Sequence, residues 1–118
     1  MARILLVDDE PSILSVLTTL MKSEGHDPVP VRGGDKAKDV LLSDYFDLMI
    51  SDIRMDPVDG MELLKIAHRE RPGMAVIMLT AYGSVETAVE AMKAGAFDYV
   101  TKPFKVDELL ITVQRSLE

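Results

Sequence analysis

The chain alternates short apolar runs with longer segments in which apolar residues recur every three or four positions. The runs are Ile4–Val7, Val29–Val31, Leu48–Ile50, Ala75–Leu79 and Phe97–Val100. Each is bounded by polar or turn residues and is too short for a helix, so the pattern predicts five strands. The segments between them have helical spacing. The first carries Ile13, Leu14, Leu17, Leu20 and Met21, opens at Pro11 and stops at Gly25, with proline in the first turn and glycine just past the end as boundary signals. The second, from about Asp35 to Ser43, puts Ala37, Val40 and Leu41 on one face. The third follows Gly60 with Leu63, Leu64 and Ala67 and ends before Pro72-Gly73. The fourth aligns Val85, Ala88, Val89 and Met92 and ends at Gly95, and the fifth aligns Val106, Leu109, Leu110, Val113 and Leu117.

Five strand–helix repeats predict an α/β fold with a parallel sheet. The central runs are almost wholly apolar, as expected where helices cover both faces. The second strand differs, because Pro28 and Pro30 cannot donate to a ladder. Successive amides point opposite ways, so both missing donors fall on one side, and that strand belongs at an edge. An edge second strand matches the doubly wound order 2-1-3-4-5, flavodoxin-like in topology. A length of 118 residues accommodates a single domain, 1–118, with room for one core.

Composition narrows the function. With 13 basic and 20 acidic residues the net charge is −7, and aromatics are 5% with no tryptophan. Direct nucleic-acid binding by this domain is disfavoured, both by phosphate repulsion and by the lack of a stacking platform. No apolar run approaches a membrane span. The N-terminus lacks a secretory signal, so a cytoplasmic protein is expected. Without cysteine there are no disulfides or thiolate metal sites. His26 and His68 do not make a zinc site by themselves; both read as ordinary loop or solvated residues, and Met61, Met74 and Met78 as core or gap-filling residues.

In a doubly wound sheet the ligand site lies beyond the carboxyl ends of the strands. The first strand ends in Asp8-Asp9-Glu10, the third in Ser51-Asp52, the fourth in Thr80-Ala81 and the fifth in Thr101-Lys102-Pro103. That geometry brings Asp8, Asp9, Asp52, Thr80 and Lys102 to one rim. Crowded carboxylates are relieved by a cation or a raised pKa, and an all-oxygen set suits magnesium, which keeps several waters and can be shared with a phosphoryl group. Lysine neutralises a phosphoryl oxygen and threonine donates to it. A carboxylate can itself be the nucleophile, giving an aspartyl phosphate. Lys102 is the one basic residue expected near the acidic pair. Each signal alone has an ordinary explanation: an acidic pair before a helix is more often a cap, and Asp52 could merely start a turn. Their strength is coincidence at four strand ends.

The motifs Ile4-Leu5-Leu6-Val7-Asp8-Asp9-Glu10, Leu48-Met49-Ile50-Ser51-Asp52-Ile53-Arg54-Met55, Asp59-Gly60, Leu79-Thr80-Ala81 and Asp98-Tyr99-Val100-Thr101-Lys102-Pro103-Phe104 together resemble a bacterial two-component response-regulator receiver domain over essentially the whole chain. The stretch from Thr80 through Tyr82-Gly83-Ser84 to Tyr99 is similar to receivers of nitrogen-regulator-type enhancer-binding transcription activators. The resemblance implies that Asp52 is the phosphoacceptor, that Asp9 and Asp52 with the Arg54 backbone carbonyl bind Mg2+, and that Asp8 acts through water. It also implies that Lys102 contacts the phosphoryl group, that Thr80 and Tyr99 form the switch pair, and that the Lys102-Pro103 bond is cis. The implied partners are a sensor histidine kinase as phosphodonor and an output domain or partner protein, with a homodimer possible through the fourth helix, fifth strand and fifth helix. Such a protein is a switch in a phosphorelay rather than a turnover enzyme. One departure is Met55-Asp56-Pro57, where many relatives place proline directly after the methionine; Asp56 adds a charge and Pro57 biases it toward extended geometry.

Three other functions compete. A phosphoaspartate hydrolase puts its nucleophile on the first strand with a second Asp two positions later, whereas Asp8 and Asp9 are adjacent. A flavin carrier needs a phosphate loop where Asp8-Asp9-Glu10 would repel phosphate. A receiver that only binds partners would not need the complete set of Asp8, Asp9, Asp52, Thr80 and Lys102.

Overall fold

The computed structural model describes residues 1–81 and 83–118; Tyr82, part of the motif after the fourth strand, lies outside the described residues. Five strands and five helices alternate: β1 (Arg3–Asp8), α1 (Pro11–Ser23), β2 (Asp27–Arg32), α2 (Gly34–Ser43), β3 (Leu48–Ser51), α3 (Gly60–Glu70), β4 (Ala75–Thr80), α4 (Val85–Lys93), β5 (Asp98–Thr101) and α5 (Val106–Ser116). All pairings are parallel, in the order β2-β1-β3-β4-β5. The sheet has two apolar faces. Leu5, Val7, Met49, Val76 and Met78 pack with residues of α2 and α3 on one. Ile4, Leu6, Leu48, Ile50, Ile77 and Leu79 pack with α1 and α5 on the other. This two-sided burial is why the central runs lack polar alternation.

The prolines of β2 sit as their chemistry requires. The Asp27 amide donates to the Ala2 carbonyl at 2.8 Å and the Gly33 amide to the Asp8 carbonyl at 3.2 Å. Odd-numbered amides of β2 therefore face β1, and positions 28 and 30 face away from the sheet.

One sequence expectation needs correction, and one helix is placed in a way its apolar stripe does not announce. Phe97 precedes β5 rather than opening it and is half exposed; only its amide joins the sheet, donating to the Val76 carbonyl at 2.7 Å. The apolar stripe of α4 does not face the sheet. Val85 is 81% exposed, and Val89 and Met92 are each 47% exposed, while Ala91 is fully buried. Periodicity locates a stripe but not its direction, and here the small alanine lies against the sheet while the larger residues are left outside.

Candidate functional site

Strand ends position the polar residues. Asp8 closes β1, Asp52 follows β3, Thr80 closes β4 and Lys102 follows β5. All but Lys102 are buried to 5% exposure or less, and the Lys102 side chain is only 9% exposed. Its Nζ donates to Asp8 Oδ2 at 2.7 Å and to Asp52 Oδ2 at 3.0 Å, bridging the two carboxylates. Asp8 Oδ1 accepts from the Glu10 amide at 3.0 Å, and Asp52 Oδ1 from the Ile53 amide at 2.6 Å. Burial alone would lower the lysine pKa, but the two carboxylate partners outweigh it and hold Lys102 above its ordinary value.

Asp9 is different. It is partly buried, and its carboxylate accepts no hydrogen bond among the described residues. Its pKa is raised, first by burial, then by Asp8, with Asp52 and Asp56 adding to the repulsion and Arg32 opposing it. Neither member of the acidic pair is a helix cap: the N-cap of α1 is Glu10, and no side chain caps the helix. Asp9 instead borders an open cleft with Ile53, Arg54, Met55, Asp56 and Asp59. Among the described residues no three acidic or imidazole side chains form a closed metal set, and Asp8 and Asp52 are both hydrogen-bonded to Lys102. The donor chemistry nonetheless fits a hard cation. A half-buried carboxylate without a protein donor stands beside two further carboxylates that retain acceptor capacity.

The backbone behind Asp52 is tightly specified. Gly60 opens α3 with its amide donating to the Ile53 carbonyl at 2.7 Å. A Cβ there would lie 1.9 Å from the Asp52 carbonyl oxygen. Asp59 caps α3, accepting from the Glu62 amide at 2.9 Å. Both the Asp56-Pro57 and Lys102-Pro103 bonds are cis.

Tyr99, on β5, lies against Gly83 in the loop after β4; a Cβ on Gly83 would sit 2.7 Å from its hydroxyl oxygen. That hydroxyl is buried without a well-formed hydrogen bond, and burial, followed by the Asp52 charge, raises the phenol pKa. His68 is exposed as expected, its ring beside Gly95. His26 does more than occupy a loop, its Nδ1 accepting from the Ala2 amide at 3.2 Å.

The strand-end survey overlooked Arg32. It closes β2 in register with Asp8, and its Nε donates to the Asp9 carbonyl at 3.0 Å. Lys102 is therefore not the only cation beside the acidic pair. The signal was present in the sequence, since Arg32 is the polar residue at the carboxyl end of the second strand.

The order of the sheet, the buried lysine bridge and the acidic strand ends define a doubly wound α/β fold with an acidic site at the carboxyl ends of its strands. The response regulator receiver domain family matches residues 4–114, and the chain belongs to it. It is 43% identical over 117 residues to the transcriptional regulatory protein GlrR of Escherichia coli, covering 99% of this chain and 26% of that protein. The chain spans about a quarter of the length of such regulators. A CheY-like receiver domain protein from Methanospirillum hungatei superposes with a TM-score of 0.95 at 34% identity, covering 99% of this chain and 94% of that one. The beryllofluoride-activated NtrC4 receiver domain dimer superposes with a TM-score of 0.91 at 34% identity, covering 98% and 95%.

Proposed function

We propose that this domain is a phosphorylation switch in which Asp52 accepts a phosphoryl group from a phosphohistidine on a sensor kinase. The observation that carries the reading is the buried Lys102 bridge between Asp8 and Asp52. An Asp52 carboxylate oxygen attacks phosphorus, the new O–P bond forms, and the P–N bond breaks with its electron pair returning to the imidazole. Lys102 is already within reach of the oxygen that becomes the acyl phosphate and can follow its charge. Thr80, fully buried at the neighbouring strand end, supplies a hydroxyl to the new group. Asp9, Asp52 and the Arg54 carbonyl would hold Mg2+, with Asp8 acting through water. When bound, the ion neutralises charge that develops on the phosphoryl oxygens.

The output follows from position. Tyr99 on β5 pairs with Met78, two residues before Thr80 on β4, which puts Tyr99 and Thr80 in a diagonal relation on one face of the sheet, and Tyr99 would pass a Thr80 displacement on to α4. Val85, Val89, Met92, Phe97, Val106 and Ile111 are exposed apolar residues of α4, β5 and α5 or their flanks. That surface suits an output domain or a second copy of the chain, and the NtrC4 neighbour is itself a receiver dimer. The sequence relatives are transcriptional regulators, so the regulated output is transcription in the cytoplasm. The domain is a switch and not a turnover enzyme; the hydrolase and flavin-carrier readings gain nothing from the family match.

The test is intact mass after incubation with acetyl phosphate and Mg2+. Wild type should gain one phosphoryl group and Asp52→Asn none. A full adduct on Asp52→Asn would overturn the assignment, and no adduct on wild type would favour a receiver that only binds partners.

A further inference from the structure

The acidic site is flanked by cations from both edges of the sheet. Lys102 arrives from the β5 side, is buried and serves Asp8 and Asp52. Arg32 arrives from the β2 side, is exposed and donates through Nε to the backbone carbonyl of Asp9, the acidic residue whose side chain Lys102 does not bond. Its backbone is held from both directions. Val31 pairs with Val7 and Arg32 with Asp8. Beyond them the Gly33 amide donates to the Asp8 carbonyl. Gly34 is pressed so closely on the Val58 carbonyl that a Cβ would stand 1.8 Å from its oxygen. The turn that carries Arg32 is thus pinned, and the Nε bond to the Asp9 carbonyl keeps its guanidinium beside the acidic pair.

We infer that Arg32 is a resident counter-cation of the acidic site, which compensates Asp9 in the metal-free protein and weakens the binding of a divalent cation there. The inference rests on the proposed metal role of Asp9. A positive charge beside the acidic pair repels a divalent ion bound there, and because Arg32 is exposed the effect is screened by salt. A bound divalent cation and Arg32 satisfy the same charge, so the two compete. The arginine sets the magnesium concentration at which the site fills.

The experiment is Mg2+ titration, read by calorimetry and by the magnesium-dependent shift in Tm, on wild type, Arg32→Gln, Arg32→Lys and Asp9→Asn. Arg32→Gln should bind Mg2+ about threefold to tenfold tighter at low ionic strength, with the difference shrinking to under about twofold at high salt. Arg32→Lys keeps the charge and should stay close to wild type. If Arg32 only props the Asp9 backbone through its Nε, Arg32→Lys will behave like Arg32→Gln and both will bind Mg2+ no tighter than wild type; that result overturns the inference. Asp9→Asn separates the two failures. If it loses the magnesium response while Arg32→Gln matches wild type, only the counter-cation role falls. If it binds Mg2+ as wild type does, the metal role of Asp9 falls and the inference with it.

Discussion

Two helices of similar length are attached to the same sheet in contrasting ways. In α3, Gly60, Leu63, Leu64, Ile66 and Ala67 are buried, and its first residue fits against the Asp52 carbonyl. In α4 only Ala91 is buried, and the larger apolar residues face outward. Yet α4 is not a poor helix, because Ser84 Oγ accepts from the Thr87 amide at 3.1 Å and caps it. It is well made internally and thinly held externally. Segments with few buried contacts open at low free energy. Such a pairing is what a switch needs: a tightly packed wall behind Asp52, the proposed phosphoacceptor, and a thinly buried element beside Tyr99.

The contrast can be broken on the buried side of α3, at Gly60 and Leu64. Gly60→Ala forces α3 away from Asp52, and a loss of about 3 kcal/mol is expected in urea unfolding. Leu64→Ala on the same helix should cost about 2–5 kcal/mol, whereas Val89→Ala on α4 should change stability by less than about 0.5 kcal/mol. Equal losses at Leu64 and Val89 would erase the distinction. Lys102→Met should cost about 3 kcal/mol, because it leaves two buried carboxylates without their cation. The same variant should lose acetyl-phosphate labelling at Asp52, checked by mass.

Smaller effects sharpen the comparison. Gly83→Ala should cost under about 1 kcal/mol, since the atom it meets is the tip of Tyr99 rather than backbone. It should nonetheless displace the ring, so beryllofluoride-induced amide NMR shifts in α4 should shrink while those near Asp52 persist. The smallest effect is in pH dependence. The folded-state pKa of Asp9 lies above the ordinary 3.8, so between those values the folded form binds more protons than the unfolded chain. Its contribution to the stability of the metal-free protein therefore falls as pH rises through that window. The slope of stability against pH there should be less negative in Asp9→Asn than in wild type.

The strands and their order were legible because nearly every central position is apolar and the two prolines mark one edge. The site was legible where a polar residue ends an apolar run, as at Asp8, Asp52, Thr80 and Lys102. Arg32 escaped because β2 was weighed for its prolines and not for its carboxyl end. The direction of α4 escaped for a different reason. Val85, Val89 and Met92 form the more apolar stripe, but the space beside β5 admits a methyl group, and that fact belongs to the packing rather than to the periodicity. The Tyr99–Gly83 contact likewise depends on how the loop after β4 meets β5.

The prolines of β2 have a consequence beyond setting the strand order. Of the three backbone nitrogens on the outward side, at positions 28, 30 and 32, two belong to prolines and carry no hydrogen, so the strand offers a passing chain carbonyl acceptors but a single amide donor. The opposite margin, β5, has no proline within Asp98–Thr101. Self-association by strand addition is thereby discouraged on the margin next to Arg32. A crowded solution of these domains is steered away from sheet-to-sheet aggregation on that side, whatever the state of Asp52.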